Sequence, residues 1–417
     1  MGTIAATGRQ AALTRTLPWQ RLAGGVVVLT STVLALAMAP GDPRLPYLWV
    51  FGLAAGFTLQ RSRFCFASAF RDLYLFGSGR IMKGILVGLA VASLGFAVIM
   101  RNAVPFPAFG ALPPEAHILP VGVTTILGGL LFGVGMVLAG GCISGSLFRS
   151  AEGYVGSWVA IAGAVIGLGA MSQTWNWWWS VALEAEPKLW LPALFNLGYG
   201  GALILTLAGV LVAYLVVVWW EARSGVPTVK VSADVMPEDT FVQRLSATGQ
   251  RIFVKGWSPI VGGAVLGGLN ILMYSVHMPW GVTGELSRWA NSLMTNVGAA
   301  PPVALGLSAI GGCAARASEV SGVFSHTFAV TVGLLAGALA AALFANEFKL
   351  RFPRRARRYY QSLAGGLLMG YGAGLAIGCT IGAFFSSIAS LSISGWLFGA
   401  ALFAGALLGT KFIQRIA

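Results

Sequence analysis

Long apolar runs separated by short polar segments dominate the chain. The runs cover residues 24–38, 47–60, 81–100, 121–140, 154–172, 193–220, 260–276, 301–312, 325–345, 364–379 and 395–412. Several are shorter than the roughly 20 residues that a helix needs to cross a bilayer, which predicts half-helices or re-entrant segments beside complete spans. The runs are continuous rather than alternating, so a transmembrane β-barrel is not expected. The pattern predicts an all-α polytopic membrane protein.

The composition supports that prediction. The chain is 57% hydrophobic and 10% charged, with a mean hydropathy of +0.79, which is too apolar for a soluble domain. Its 57 glycines predict close helix packing and several broken helices, because glycine lets backbones approach and tolerates unusual dihedral angles. The net charge of +14 is better explained by cytoplasmic Lys and Arg than by nucleic-acid binding, since no basic groove or stacking module is recognisable.

The polar segments predict an orientation in the membrane. Three arginines precede the first apolar run, which we expect to be a retained helix that starts in the cytoplasm. The basic stretch 349–360 and the charged linker 221–258 are also expected inside, whereas the aromatic and acidic stretch 172–190 is typical of an external interfacial belt. Both termini are therefore predicted to be cytoplasmic.

A repeated segment divides the chain into two halves. "GGLLFGVGMVLAGGCISG" at 128–145 aligns without a gap with "GGLLMGYGAGLAIGCTIG" at 365–382, at a constant offset of 237 (379 − 142). Four helices in each half and one connector would place the second half upside down, and such inverted repeats hold a transport site near the midplane. The predicted units are an N-terminal tail with an extra transmembrane helix (1–46), a first repeat (47–192), a connecting helix with a cytoplasmic linker (193–258) and a second, inverted repeat (259–417).

The four cysteines mark breaks in these helices. Cys65, Cys142, Cys313 and Cys379 lie far apart, without a CxxC motif, so neither a zinc site nor an iron–sulfur cluster is expected. Each is flanked by Gly or Arg rather than placed in an exposed loop, which favours free thiols. We predict that all four line one central path; the alternative is that they are small packing residues.

The neighbours of two of these thiols suggest what such a path would carry. The sequence places Gly141 and Ser144 around Cys142, and Gly378 and Thr380 around Cys379. Small and hydroxyl residues suit a helix that restarts after a break, and its free N–H groups and positive dipole end attract an anion. A thiol is a soft, polarisable surface, better matched to sulfur or selenium than to hard oxygen. Thiosulfate fits both features.

Charged residues recur beside the thiols. The pairs Arg149–Glu152 and Arg316–Glu319 are spaced i, i+3, which predicts ion pairs on one helix face. Arg63 could attract substrate at the inner mouth, although a topology rule that places positive charge inside explains it equally well. The stretch 280–289 could form a gate or outer vestibule, or a capped amphipathic helix.

No sequence feature indicates an enzyme that hydrolyses nucleotide or binds a cofactor. The chain has no P-loop, no paired carboxylates, no cluster of metal ligands and no GxSxG motif. We therefore expect no cofactor and no metal. One alternative of a different class is a membrane sulfur relay, in which a cysteine accepts sulfane sulfur as a persulfide.

At these residues the chain resembles the YeeE/YedE family of sulfur-compound transport proteins. The resemblance rests on "LQRSRFCFASAFRD" (59–72), "LAGGCISGSLFRSAEGY" (138–154), "VTGELSRW" (282–289), "ANEFKLRFPR" (345–354) and "GCTIGAFFSSIASLSISGW" (378–396). It implies thiosulfate uptake across the bacterial inner membrane through an hourglass of inverted halves with a central constriction. It also implies that Cys65, Cys142 and Cys379 contact the ion, with Cys313 as a substitute or extra contact.

The resemblance carries two further implications. Family members often work beside a small cytoplasmic sulfurtransferase, which is therefore an expected partner besides the lipid bilayer. The first helix and the long middle linker exceed the compact form of the family, and the length is nearer to members linked with selenium metabolism. A selenium compound or another sulfur oxyanion thus stays open as the substrate.

Overall fold

The computed structural model describes residues 18–107, 110–224, 249–307, 310 and 324–416. Within these ranges the backbone is helical apart from turns, loops and three isolated β-bridges. The helices are α1 (Pro18–Met38), α2 (Arg44–Ser62), α3 (Phe66–Phe76), α4 (Arg80–Ala103), α5 (Val123–Ala139), α6 (Ile143–Ala151), α7 (Val155–Trp178), α8 (Gly198–Ser224), α9 (Pro259–Val276), α10 (Thr283–Asn296), α11 (His326–Phe344), α12 (Ala356–Leu375), α13 (Thr380–Ala389, mostly π-helical) and α14 (Ile393–Ile416).

Eight of the described helices or helix pairs are long and apolar enough to cross a membrane. The number rises to nine if α12 and α13, which meet at a bend of 46°, count as one broken span. The prediction of an all-α polytopic membrane protein is confirmed. The short helices α3, α6 and α10 lie outside the short apolar runs, and the runs 24–38, 47–60, 260–276 and 364–379 form longer helices instead of the expected half-helices.

The long helices pack in pairs. Helix α2 lies along α11, α4 along α9, α5 along α14 and α7 along α12, while α5 also lies along α12. Glycines let the backbones of paired helices approach closely along their line of contact, here called a seam. A Cβ added at Gly56 would lie 2.0 Å from the carbonyl oxygen of Leu334, and one added at Gly263 would lie 1.8 Å from that of Gly84. The many glycines thus serve backbone-to-backbone packing, as the composition predicted.

Helices α5 and α12 carry the repeated glycine motif and contact each other through it. A Cβ added at Gly128 would lie 2.8 Å from the carbonyl oxygen of Gly372, and one added at Gly135 would lie 2.6 Å from that of Gly365. The reverse substitutions at Gly372 and Gly365 would meet Gly128 and Gly135 in the same way. A step of seven residues forward along α5, from Gly128 to Gly135, matches a step of seven residues back along α12, from Gly372 to Gly365. The two motif helices therefore run antiparallel. The inversion of the complete halves stays a prediction.

The glycine seams give a direct prediction for stability. Gly370→Ala would place a Cβ 2.0 Å from the carbonyl oxygen of Ala164, whereas Gly268→Ala on α9 meets nothing within 4 Å. We expect the first substitution to destabilise the protein by about 1–3 kcal/mol or more through overpacking. The second should be neutral or stabilise it by up to about 1 kcal/mol, since alanine is the better helix former. Thermal unfolding in detergent measures both variants. Equal shifts in unfolding temperature would contradict the close packing at Gly370.

Three sequence predictions need correction or comment. The apolar run 301–312 forms no α-helix between 301 and 307, so a half-helix there is wrong for its described part. The helix that precedes this run is α10, which corresponds to the amphipathic helix that was one alternative for 280–289. The predicted linker 221–258 begins inside α8, and its residues 225–248 lie outside the described part of the chain.

Candidate functional site

Three buried thiols occupy the same local position in three short helices. Cys65, Cys142 and Cys379 are the N-cap residues of α3, α6 and α13, and the side chain of each is 0% exposed. All three are free cysteines. A helix N-terminus presents unpaired N–H groups and the positive end of the helix dipole. The structure thus combines a soft sulfur atom with anion-attracting backbone at three places.

A left-handed residue turns the chain before each of these thiols. Arg63 (φ 52°), Gly140 (φ 78°) and Ile377 (φ 57°) precede the three N-caps by two residues each. The predicted helix breaks are therefore present. The conformation is ordinary for glycine but uncommon for a β-branched residue such as Ile377. Backbone strain of this kind is found where surrounding packing holds a functional geometry.

Cys65 and Cys142 converge on Gly145. A Cβ added at Gly145 would lie 2.7 Å from Cys65 Sγ and 3.2 Å from Cys142 Sγ. The Gly145 N–H donates to Cys142 Sγ at 3.3 Å, and Ser144 Oγ lies 3.4 Å from the same sulfur. Only glycine leaves both sulfurs room at this position. The structure therefore brings two of the predicted thiols together, through a residue that the sequence reasoning did not single out.

Cys379 lies against α10 instead. Its backbone N–H donates to Thr283 Oγ1 at 3.1 Å. The neighbouring Thr380 is 0% exposed, and its hydroxyl has no hydrogen-bond partner among the described residues. A buried hydroxyl without a partner is costly unless a ligand or water satisfies it. Gly378 is also required here, because a Cβ would lie 2.8 Å from the Ala383 nitrogen.

Aromatic contacts join the Cys379 helix to the Cys65 helix. The ring of Phe66, the residue after Cys65, lies 6.3 Å from that of Phe384 and 6.1 Å from that of Phe385, both edge-on. Edge-on aromatic pairs contribute about 0.5–1.5 kcal/mol beyond their burial. The helices that carry the two thiols are thus held side by side, although the recorded polar contact of Cys379 is to Thr283.

A charged cluster, here called the Glu152 cluster, closes one end of this region. Its members are Gln60, Arg61 and Arg63 at the end of α2, Glu152 after α6 and Glu347 after α11. Gln60 Nε2 donates to Glu152 Oε1 at 2.9 Å and to Glu347 Oε2 at 2.7 Å. Arg63 pairs with Glu152 at 3.1 Å and with Glu347 at 3.0 Å, and Arg61 pairs with Glu347. Two cations therefore balance two anions around a buried amide.

The predicted Arg149–Glu152 ion pair is wrong. Glu152 pairs with Arg63, and the Arg149 guanidinium donates to the carbonyl oxygen of Gly140 at 2.5 Å. The i, i+3 spacing allows a local pair, but a carbonyl left open at the α5 terminus is a competing acceptor for Arg149. Glu152 is 1% exposed and needs the partners on α2. Arg149 thus braces the loop that leads to Cys142.

A second set of buried polar residues lies at the other end of α11 from Glu347 and is centred on Glu285. Its side chain is 0% exposed and pairs with Arg288 at 2.8 Å. The hydroxyls of Ser325 and Thr327 donate to its Oε2 at 2.9 and 2.8 Å. Of the two alternatives for 280–289, the helix is present as α10, and its acidic residue lies inside the protein rather than in solvent.

Three sequence-predicted residues fall outside the described part of the chain. They are Cys313, Arg316 and Glu319. The sequence reasoning also left Gln60 and Glu347 without a role, although both lie in the motif stretches. A lone carboxylate such as Glu347 directly after a long apolar helix is itself a signal, because a charge at that place needs a partner.

His117, in the loop between α4 and α5, supports the helix that follows Cys379. Its Nδ1 lies 3.2 Å from the carbonyl oxygen of Gly382, and its backbone N–H donates to Ser390 Oγ at 3.2 Å. Since a carbonyl only accepts, Nδ1 carries the proton. Burial lowers the pKa of His117 to about 4.

Acidification is therefore expected to destabilise the protein through His117. The imidazole takes up a proton near pH 6.5 in the unfolded chain but only near pH 4 in the folded one. The stability is complete above pH 6.5 and falls as the pH drops toward 4, by about 3 kcal/mol in all. Thermal unfolding at pH 7.5 and 5.0 measures this effect. His117→Gln is the control, and an equal pH dependence in both proteins would contradict the prediction.

Sequence comparison places the chain among transport proteins. The sequence profile of the family described as sulphur transport matches residues 61–408. The chain is 33% identical over 189 residues to the probable transporter YedE of Escherichia coli K12, which covers 45% of this chain and 44% of that protein. It is 28% identical over 228 residues to the thiosulfate transporter TsuA of Escherichia coli K12, covering 54% of this chain and 58% of that protein.

A third relative matches a shorter stretch at higher identity. The thiosulfate transporter TsuA of Spirochaeta thermophila is 39% identical over 132 residues, which covers 31% of this chain and 37% of that protein. The matched stretches thus span about half the length of the curated relatives or less. The profile match, by contrast, includes Cys65, Cys142 and Cys379.

Proposed function

The chain belongs to the sulphur transport family, and on that basis we propose that it carries thiosulfate inward along a path formed by Cys65, Cys142 and Cys379. The single observation that supports the path best is the convergence of the Cys65 and Cys142 sulfurs on Gly145. Two thiols of different helices meet at a glycine, where any side chain would collide with both sulfurs. The thiosulfate transporters among the relatives support the choice of anion.

The local chemistry suits a divalent sulfur anion. Each thiol offers a weak S–H donor and a polarisable surface to a sulfane sulfur. The N-terminal N–H groups of α3, α6 and α13 offer the positive ends of three helix dipoles to the sulfonate oxygens. The unpartnered Thr380 hydroxyl adds a neutral donor beside Cys379. An anion that leaves water would exchange its hydration shell for these groups one after another.

The position of the Glu152 cluster is consistent with this role. The cluster cross-links α2, α6 and the segment after α11, the elements that hold Cys65 and Cys142 in place. Its charges are paired with each other, so they leave no free cation there to bind the anion tightly. We propose that this end faces the cytoplasm, that both termini lie there, that the membrane is the bacterial inner membrane and that a small sulfurtransferase receives the sulfur.

Uptake of labelled thiosulfate into proteoliposomes tests the proposal. We expect wild type to show uptake, and Cys142→Ala and Cys379→Ala to lose roughly tenfold or more of it, because one charge-assisted contact of the bound anion contributes about that factor. Empty liposomes are the control. Unchanged flux in both variants would remove the thiol path from the proposal.

The same liposomes separate the remaining candidates. Excess unlabelled selenite, selenate, sulfite or sulfate should compete poorly with thiosulfate; full competition by a selenium anion would reassign the substrate. A sulfur relay would leave a persulfide on a cysteine after exposure to thiosulfate, which mass spectrometry of the intact protein detects. We expect an unmodified mass.

A further inference from the structure

A pocket of about 640 Å³ opens beside the loop that carries Cys142. Its walls come from the end of α5, the α6–α7 turn, the segment 351–355 and the start of α12. Among the described residues, no acidic side chain lines it, whereas five arginines do: Arg149, Arg351, Arg354, Arg355 and Arg358. We call it the arginine pocket. A concentration of cations around a cavity attracts anions and raises their local concentration.

The arginines of this pocket form no ion pair with a carboxylate of the described residues. Arg149 and Arg351 donate to backbone carbonyls, and Arg351 also stacks over the ring of Tyr154 at 4.6 Å. No carboxylate in the described ranges lies within 4.0 Å of Arg354, Arg355 or Arg358. The two carboxylates nearest in sequence, Glu152 and Glu347, are taken by Arg61 and Arg63. Positive charge is therefore left over at the pocket.

The start of α12 adds to the excess. Arg355 is the N-cap residue, makes no side-chain cap, and is followed by Arg357 and Arg358 in the first turn without an acidic residue. Cations at a helix N-terminus oppose the helix dipole, and the first N–H groups stay without a side-chain acceptor. A bound anion would interact favourably with the cations and the helix dipole, and it would accept hydrogen bonds from the free N–H groups.

A buried hydroxyl faces the same pocket. Ser362, on α12, lines the cavity and is 7% exposed, and its side chain has no hydrogen-bond partner in the described part of the chain. A positive-inside rule accounts for arginines near a membrane surface but not for a largely buried serine, without a protein partner, at the cavity they line. The hydroxyl indicates that the cavity accommodates a polar ligand.

We propose that the arginine pocket binds a tetrahedral oxyanion, held by Arg355, Arg358, Ser362 and the first N–H groups of α12. The ligand is either a free divalent oxyanion such as thiosulfate or sulfate, or the phosphate of an anionic lipid headgroup. Gly140 lies in its wall, two residues before Cys142, and Arg149 braces that loop. In the first case the pocket is a release site at the end of the thiol path, and this part rests on the proposed function.

Binding to the purified protein tests the proposal, with lipid retention measured before delipidation and anion binding after it. Sodium thiosulfate and sodium sulfate are titrated in a calorimeter, and retained phosphatidylglycerol is measured by native mass spectrometry. The test variant is Arg355→Gln with Arg358→Gln. The matched control is Lys411→Gln with Arg415→Gln, which removes the same charge from exposed positions of α14. Ser362→Val is a second test variant that changes no charge.

We expect the test variants to bind one of the two ligands at least about fivefold more weakly than the control, since charge-assisted hydrogen bonds to the anion are lost. Loss of thiosulfate or sulfate binding identifies a free oxyanion as the ligand, and loss of retained lipid identifies a headgroup. Equal binding of all three ligands by Ser362→Val and the control would overturn the proposal, whether or not the double arginine variant folds.

The design separates this proposal from the transport function. Cys142→Ala should lose uptake and keep binding at the arginine pocket. Wild type that shows no thiosulfate uptake, while the pocket still binds sulfate or lipid, would contradict the proposed transport function and support the proposed binding site. Normal uptake together with control-like binding by the pocket variants would contradict only the proposed binding site.

Discussion

Gly145→Ala is expected to lose roughly tenfold or more of thiosulfate uptake while the protein still inserts and folds. The new methyl group would lie 2.7 Å from Cys65 Sγ and 3.2 Å from Cys142 Sγ, closer than carbon and sulfur normally approach. The methyl would therefore displace both thiols and occupy the space between them. The overpacking itself costs about 1–3 kcal/mol of stability. The loss of uptake follows from the displaced sulfurs, since one charge-assisted contact with the anion contributes roughly a tenfold factor.

Two variants make this result specific to the thiols. Gly141→Ala lies in the same loop, where a Cβ comes no nearer than 3.4 Å to Ser146 Oγ, and it should transport normally. Adding Cys65→Ala to Gly145→Ala removes the nearer sulfur, so the thermal stability should recover whereas uptake should stay low. Full uptake in Gly145→Ala, with normal expression, would mean that the substrate passes elsewhere.

Glu347→Gln is expected to cause the largest loss of stability. It leaves Arg61, 1% exposed, without its carboxylate partner, and leaves the Glu152 cluster with two cations and one anion. Removing one partner of a fully buried ion pair costs about 3–5 kcal/mol; Glu347 is 33% exposed, so water screens part of this and we expect about 2–3 kcal/mol. We expect poor yields of monodisperse protein and a clearly lower unfolding temperature in detergent.

A charge-balanced variant separates electrostatics from packing in this prediction. Adding Arg61→Gln to Glu347→Gln restores one cation against one anion, so part of the lost stability should return. Glu184→Gln, at an exposed position after the Trp179–Leu183 turn, is the control and should leave the unfolding temperature unchanged. If the double variant is no more stable than Glu347→Gln, the charge balance does not hold the cluster together.

The sequence predicted the parts of this structure that depend on local chemistry. Apolar length predicted the spans, and the number of glycines predicted close helix packing. A thiol behind Gly140 and Gly141 predicted a helix that ends and restarts at Cys142. Each of these features depends on residues within one turn or one helix, so residue type and spacing are enough to predict it.

Features that depend on distant neighbours were missed. Arg61 meets Glu347 across 286 residues, so no window of sequence contains the pair. Arg149 takes the Gly140 carbonyl because the break in α5 leaves an acceptor beside it, which a spacing rule for intact helices does not include. Helix α10 was one of two alternatives for its stretch, but the burial of Glu285 was missed, because its pairing with Arg288 and the hydroxyls at the start of α11 depends on the packed structure.

The seam between α5 and α12 limits how the protein can move. Carbonyl oxygens of Gly128 and Gly135 abut glycine backbone on α12 with no side chain between them, so neither helix can slide along the other without collision. A cycle based on large rocking of one half against the other would have to break this seam. We therefore expect small local rearrangements around the thiols to admit each ion, and a covalent tether joining the two helices to leave the turnover rate unchanged.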